Sequence, residues 1–418
     1  MAGQSVLFTR TGLTMEARIL HIVVLLGFFT GSHFAKGEDC VWDKDVDYPE
    51  FAPLILDSSN ELVRQVLEGD KRMIRITSGS DLTLACPGTV ISALGLESTD
   101  ATCLGGKLLS IEGQEWNIVE LGCKKKPRET IHRNMGVCGQ DETGIYELIG
   151  FDIAHTGYFY ESVRICFEPV SETTLFTENI IHGASVSAKD IEPSRPSFKT
   201  STGFFTVSMA NVYSQASQLE LMKTLLKDDA LAESIINPSK EFYFAKGHMS
   251  PDADYATEPE QDATYYYINA LPQWQAFNNG NWKHLEYAVR DLAEMHGTDL
   301  TIYSGGWGIL ELNDVNGNPV EIYLGLSGGE TVVPAPALTW KVVYEKETNR
   351  AAAVVGINNP HITEAPPHLC EDLCSSLTWL DFDFGDLGHG YTYCCTVADL
   401  RAAIPNVPDL GDVDLLDQ

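Results

Sequence analysis

An α+β fold is predicted for this chain, and three observations predict it. Residues 38–170 are short apolar segments broken by Gly, Ser and Pro and interspersed with six cysteines, the pattern of a β-rich, disulfide-stapled unit. Beyond residue 171, strand-like segments alternate with segments of helical period instead of repeating one kind of element. The chain has 418 residues, more than one hydrophobic core usually organises, so two domains are expected, over 38–170 and 171–408.

The elements follow in order. Arg18 precedes the apolar run 19–29, which is too short to span a bilayer comfortably, and Ala35-Lys36-Gly37 offers a small-x-small cleavage site; residues 1–37 read as a signal peptide. No later run is apolar enough for a membrane helix, so the expectation is a secreted, extracellular protein without a membrane partner once the leader is removed. Segments 71–76, 81–85 and 116–121 are expected strands. The basic run Lys124-Lys125-Lys126-Pro127-Arg128 reads as a solvated loop beside a disulfide in preference to a phosphate contact.

In the second unit, 218–227 and 230–236 are expected helices, and 241–248 and 264–271 expected strands. The clearest helix is 278–295, where Trp282, Leu285, Val289 and Leu292 repeat along one face and Asn278 stands at the N-cap. Segments 309–312 and 320–324 flank Asn316-Gly317, a hairpin signal, and 339–344 and 351–356 are further strands. An acidic, mobile tail is expected over 409–418.

The ten cysteines are even in number, six before residue 170 and four after 369, and none lies in the leader. In a secreted chain they imply up to five disulfides, formed within each cluster, with the connectivity left open. Zinc held by Cys370, Cys374, Cys394 and Cys395 with nearby histidines is the alternative that an oxidising compartment disfavours. The formal net charge of -31 argues against broad, non-specific adhesion to nucleic acid. Net charge does not fix the field inside a cleft, however, and a bound cation with a few aimed Lys or Arg can still hold phosphate there.

Hydrolysing a phosphodiester requires a base for water and positive charge for the phosphoryl oxygens and the leaving alkoxide. A neutral His supplies the first, and one Mg²⁺-like ion on oxygen ligands supplies the second. The stretch from Phe242 to Glu286 contains that chemistry: His248 ends an apolar strand, Asn269 and Asn278 follow, and a helix carries Glu286. Ala245-Lys246-Gly247-His248, Asn269-Ala270-Leu271-Pro272-Gln273 and Asn278-Asn279-Gly280-Asn281-Trp282-Lys283-His284-Leu285-Glu286 together resemble the DNA/RNA non-specific endonuclease family, built on the ββα-metal (His-Me) finger. That family's pattern is Asp-Arg-Gly-His, then Asn-x-x-Pro-Gln, then an Asn–Trp–Leu-Glu helix start. Ser194-Arg195-Pro196-Ser197-Phe198 is similar to its arginine-bearing segment, and the likeness extends to secreted arthropod members.

The resemblance implies the following roles. His248 is the general base, Asn278 the direct metal ligand, and Glu286, eight residues on, a holder of water around the ion. Asn269 orients the base or that water, Arg195 stabilises phosphoryl charge, and Lys246, Gln273 and Lys199 contact substrate. One Mg²⁺ or Mn²⁺ ion per site is implied. Ala245 and Lys246 replace the family's Asp and Arg; Lys keeps the charge without the bidentate geometry. The implied function is a secreted, metal-dependent endonuclease acting on DNA, double-stranded DNA above all, leaving 5′-phosphates. A nuclease indifferent to sugar and strand, and a non-catalytic nucleic-acid-binding protein on the same scaffold, are the alternatives. Gly325-Leu326-Ser327-Gly328-Gly329 matches a serine-hydrolase elbow, but the prolines after it oppose the helix an elbow needs.

Overall fold

The computed structural model describes residues 37–191 and 195–418. The expected leader lies outside the described residues except for Gly37. Residues 37–418 form one compact unit. Its backbone is a ten-stranded, almost wholly antiparallel sheet. The strand order along the main path is Val137–Cys138, Gly144–Ile153, Tyr158–Glu168, Thr173–His182, Asp299–Trp307, Leu338–Glu345, Arg350–Ile357 and Thr392–Cys395. The boundary expected near residue 170 falls inside this sheet, between two hydrogen-bonded neighbours. Cysteine clustering suggested a break there, but cysteine density reports where staples are needed, not where a sheet ends.

Side-chain alternation explains why both faces of the sheet are covered. Leu300, Ile302, Val343, Ala352 and Val354 share one buried cluster with Trp282, Leu285, Val289 and Leu292 of the helix Asn281–His296. Val342, Ala351, Ala353 and Val355 point the other way, into a cluster with Leu400 of the helix Val397–Ala403. The expected strands 339–344 and 351–356 are thus central strands, and the apolar stripe of the long helix is core.

Residues before about 125 form two small sheets of five and three strands around their own buried cluster, which includes the bridges Cys40–Cys103 and Cys86–Cys123. The other bridges are Cys138–Cys166, Cys370–Cys395 and Cys374–Cys394. Every pairing stays within its expected cluster. No described cysteine is free, so the zinc alternative is excluded. Gly325-Leu326-Ser327 ends a strand that turns through Gly328-Gly329 into another, so the elbow pattern is a hairpin. The expected strand 116–121 is strand only to Asn117 before a short 3-10 turn. The tail is held rather than loose: Asp414–Leu415 pairs in parallel with Arg350–Ile357, Leu416 is fully buried, and Trp379 Nε1 donates to its carbonyl at 2.9 Å. Among the described residues no helix is long and apolar enough to cross a membrane.

The small sheets are joined to the rest by a shared apolar cluster, in which Leu54, Leu56 and Leu62 meet Ile149, Phe151 and Ile165, and by ion pairs. The helix Glu258–Ala263 presents carboxylates to cations from the N-terminal part: Glu260 to Arg64 at 2.8 Å, and Glu258 and Asp262 to Lys126 at 2.5 and 2.8 Å. Asp190 receives Lys44 at 2.6 Å and Arg72 at 2.7 Å. The Arg64–Glu260 pair is almost fully buried. Removing one partner of such a pair leaves an uncompensated charge in the interior. Glu260→Ala is therefore expected to lower unfolding stability by about 3–5 kcal/mol in denaturant titration; a loss within experimental error would show that the pair does not fasten the two parts.

Candidate active site

The site is assembled on a β-hairpin followed by two helices. Strands Phe244–His248 and Ala270–Trp274 pair antiparallel, with His248 opposite Ala270. Gly247 lies in the first strand because the buried Gln273 side chain packs against its Cα, where a Cβ would collide. Asn358, fully buried, clamps the second strand: its Oδ1 accepts from Trp274 N, and its Nδ2 donates to the Pro272 and Pro336 carbonyls. The expected strand 264–271 is strand only from Ala270, because Tyr267–Asn269 forms a 3-10 turn. Its three tyrosines have high strand propensity, but packing around His248 and Glu129 decides their path.

His248 is half-buried, flanked by the rings of Phe198 at 4.7 Å and Tyr265 at 4.9 Å. Its Nε2 is buried without a well-formed hydrogen-bond partner among the described residues. Burial pushes the imidazole down to about 4; the neighbouring Asp252 carboxylate and a hydrogen bond to the Thr264 backbone oppose that shift without reversing it. The ring is therefore neutral at physiological pH, the state a proton acceptor needs. Asp252 accepts from Tyr265 Oη at 2.7 Å and pairs with Arg195 Nε at 3.1 Å. The Arg195 side chain is 72% exposed, so its remaining donors face solvent.

Glu286 lies on the long helix, near enough to Asp252, Asp254, Arg290 and Lys341 to feel their charges. It makes no hydrogen bond or ion pair among the described residues, and burial pushes its carboxyl up to about 7. Asp252 is thus the shared neighbour of His248 and Glu286. Arg290 is taken by Asp254 at 3.0 Å, and the fully buried Lys341, whose ammonium burial pushes down, donates to Ser304 Oγ at 2.6 Å. Asn278 is half-buried, and its side chain makes no hydrogen bond among the described residues. It is not an N-cap. A short helix Gln275–Asn279 ends just beyond it, Gly280 breaks the path, and Asn281–His296 begins anew. The spacing from Asn278 to Glu286 is therefore not measured along one helix.

The remaining expected site residues fall differently. Asn269 is fully buried and saturated: Nδ2 donates to the Ser250 and Thr264 carbonyls at 2.9 Å, and Oδ1 accepts from Ser250 N at 3.0 Å. It can hold the loop after the base but has no atom left for an ion. Gln273 is buried beneath Gly247, away from any substrate. Lys199 is committed to Glu129 at 2.6 Å. Lys246 lies over the rings of Phe198 and Tyr213 at 5.5 and 5.6 Å, and burial lowers its ammonium. Ser194 of the arginine segment lies outside the described residues. Sequence reasoning missed Asp252, Asp254, Arg290 and Lys341. The Asp-x-Asp that follows Pro251 was the one local signal for the first pair.

The residues present suit a hard cation. An unpartnered carboxamide and a half-buried carboxylate without a counter-donor among the described residues are oxygen ligands of the kind Mg²⁺ or Mn²⁺ prefers. The cluster of Asp372, Cys374 and Cys394 does not, since both thiols are in a disulfide.

A family model described as DNA/RNA non-specific endonuclease matches residues 144–400. The chain is 28% identical over 358 residues to a salivary endonuclease of Lutzomyia longipalpis, an alignment covering 83% of this chain and 78% of that one. It is 28% identical over 339 residues to salivary protein Tsal1 of Glossina morsitans morsitans, covering 80% and 82%. It is also 32% identical over 178 residues to a salivary endonuclease of Culex quinquefasciatus, covering 40% and 46%. Among solved structures, the EndoG/EndoGI complex is similar at 18% identity and a TM-score of 0.34, over 50% of this chain and 76% of that one.

The burial of His248 has a direct readout. In the metal-free protein its ring should titrate by NMR with a midpoint near 4, well below the usual 6.5 of an exposed imidazole. Because the folded state resists the proton, stability relative to His248→Asn should decline as pH falls from 6.5 and level off near 4. A midpoint at or above 6.5 would contradict a site governed by burial.

Proposed function

The chain belongs to the DNA/RNA non-specific endonuclease family, and from that premise we propose that it is a secreted, divalent-metal-dependent endonuclease that hydrolyses DNA, double-stranded DNA above all, to 5′-phosphate ends. The observation that carries this reading is the neutral His248, its Nε2 buried and unpartnered among the described residues between Phe198 and Tyr265, which shares the charge of Asp252 with the unpartnered Glu286. His248 accepts the proton of the attacking water, and its low basicity keeps it ready to do so throughout the physiological range. Phe198 and Tyr265 fix the ring plane, and Asp252 and the Thr264 backbone bear on the charge it acquires. Arg195, tethered through Nε, keeps its outer donors for a phosphoryl oxygen. Lys246 adds a point charge beside the base.

Asn278 and Glu286 are the proposed holders of the divalent cation. When bound, that cation supplies charge neutralisation at the phosphoryl group and the leaving oxygen. Secretion is supported by five disulfides, an oxidising-compartment feature, and by the salivary origin in the names of the relatives.

The deciding experiment incubates purified protein with plasmid DNA, single-stranded DNA and double-stranded RNA, with and without chelator. Plasmid cleavage should stop with chelator, and His248→Ala should slow it by about 10²–10⁴-fold. Cutting that survives chelator would remove the metal, tight binding without cutting would favour the non-catalytic scaffold, and equal rates on RNA would favour the sugar-indifferent nuclease.

A second test does not depend on activity. A carboxyl raised to about 7 in the fold costs stability as pH climbs from its ordinary 4.5 through 7. Without divalent ions, Glu286→Gln should therefore melt above the wild type at pH 8, with the gap closing by pH 4.5. Mg²⁺ or Mn²⁺ should raise the melting temperature of the wild type more than that of the variant; an equal rise would place the ion elsewhere.

A further inference from the structure

The loop 124–128 lies outside the residues matched by the family model and belongs to the N-terminal part of the chain. Its backbone is fixed from several sides. The Cys86–Cys123 bridge stands at its start, Lys124 N donates to Val90 O at 2.8 Å, and Arg128 N donates to Pro87 O at 2.9 Å. Pro127 is buried, and Lys126 is spent on Glu258 and Asp262. Gly88, in the left-handed region at φ +71, makes room for Arg128. On this frame Lys124, Lys125 and Arg128 stand exposed.

Their charges are uncommitted in a chain where acids greatly outnumber bases. Most described lysines and arginines have a carboxylate partner within 4.0 Å, but none is recorded for Lys124, Lys125 or Arg128. Lys189, Lys246 and Lys341, around the candidate active site, share that condition. Lys240, Lys283 and Lys346 also lack a recorded carboxylate partner, so that condition is not confined to the loop and the site; what links the two is Glu129. It follows Arg128 directly, binds Lys199 Nζ at 2.6 Å and accepts from Tyr266 Oη at 2.5 Å. Lys199 follows Phe198, and Tyr266 follows Tyr265, the two rings that flank His248. One chain step on either side of the Glu129–Lys199 ion pair therefore connects the loop to the wall of the site.

We infer that Lys124, Lys125 and Arg128 form a second contact for the substrate's phosphate backbone, through which the N-terminal part holds a polynucleotide being cut at His248. The inference rests on the nuclease reading above. A row of phosphates passing the site meets a pre-ordered cationic loop, with little conformational entropy lost on binding. Such contacts are sequence-independent and salt-sensitive. A small ester occupying the site alone has nothing to gain from them.

The test combines Lys124→Ser, Lys125→Ser and Arg128→Ser and compares the variant with wild type on plasmid DNA and on a small chromogenic phosphodiester, thymidine 3′,5′-bis(p-nitrophenyl phosphate). On plasmid, KM should rise roughly ten- to hundred-fold with kcat unchanged, and the slope of log(kcat/KM) against log[salt] should flatten by about 2.7. On the small ester, both constants should stay at wild-type values, and Lys124→Arg with Lys125→Arg and Arg128→Lys should behave as wild type on DNA. An unchanged plasmid KM and salt slope overturns the second contact. Equal losses on both substrates overturn it too, showing that the loop only supports the fold. Wild-type protein that cuts neither substrate would instead sink the nuclease reading itself.

Discussion

One buried carboxamide organises the neighbourhood of the base. Asn269 spends every polar atom of its side chain on backbone: two donors on the Ser250 and Thr264 carbonyls, one acceptor on Ser250 N. Ser250 is two residues past His248, and Thr264 supplies the backbone contact to the imidazole. The same side chain thereby fixes where the strand bearing the base ends and where Tyr265 begins. Unsatisfied, those groups would each cost on the order of 1–3 kcal/mol in the interior. Asn269 thus bears on His248 at one remove, through the backbone on either side of the ring.

Electrostatics in the site follows from depth more than from net charge. A formal charge of -31 would repel a polyanion at long range, yet around the catalytic hairpin the acids are consumed in pairs: Asp252 by Arg195 and Tyr265, Asp254 by Arg290. Glu286 has no direct partner among the described residues, and burial makes its charge costly. A carboxylate in that condition is stabilised by a cation of small radius more than by another flexible side chain.

The sequence placed His248 at a strand end and Glu286 on the long helix, where the structure has them, but set Asn278 at that helix's N-cap, where it is not. Elements with a local signal were readable, among them the strands 339–344 and 351–356 and the apolar stripe of the long helix, since period and turn signals are local. What was lost is tertiary. Asp254 and Arg290 meet across 36 residues, and Lys341 reaches the site from a sheet strand that reads as plain core. The Gly280 break was missed although Asn278-Asn279-Gly280-Asn281 is poor in helical propensity, because Asn278 was read as the cap of the periodic run that follows. The apparent domain boundary near 170 and the loose acidic tail were inferred from composition, and a ten-stranded sheet overrode both.

The two departures from the family pattern have a structural counterpart at one of them. Lys246 stands where the pattern has Arg, and its ammonium lies between the faces of Phe198 and Tyr213, with no carboxylate partner among the described residues. A guanidinium would need a planar partner to use its fork; a compact ammonium needs only the negative faces of the rings. The aromatic row continues through Tyr267, stacked on Tyr213 at 5.9 Å, and through Tyr265 to His248. Cation and base are thus both held by rings rather than by a charged network.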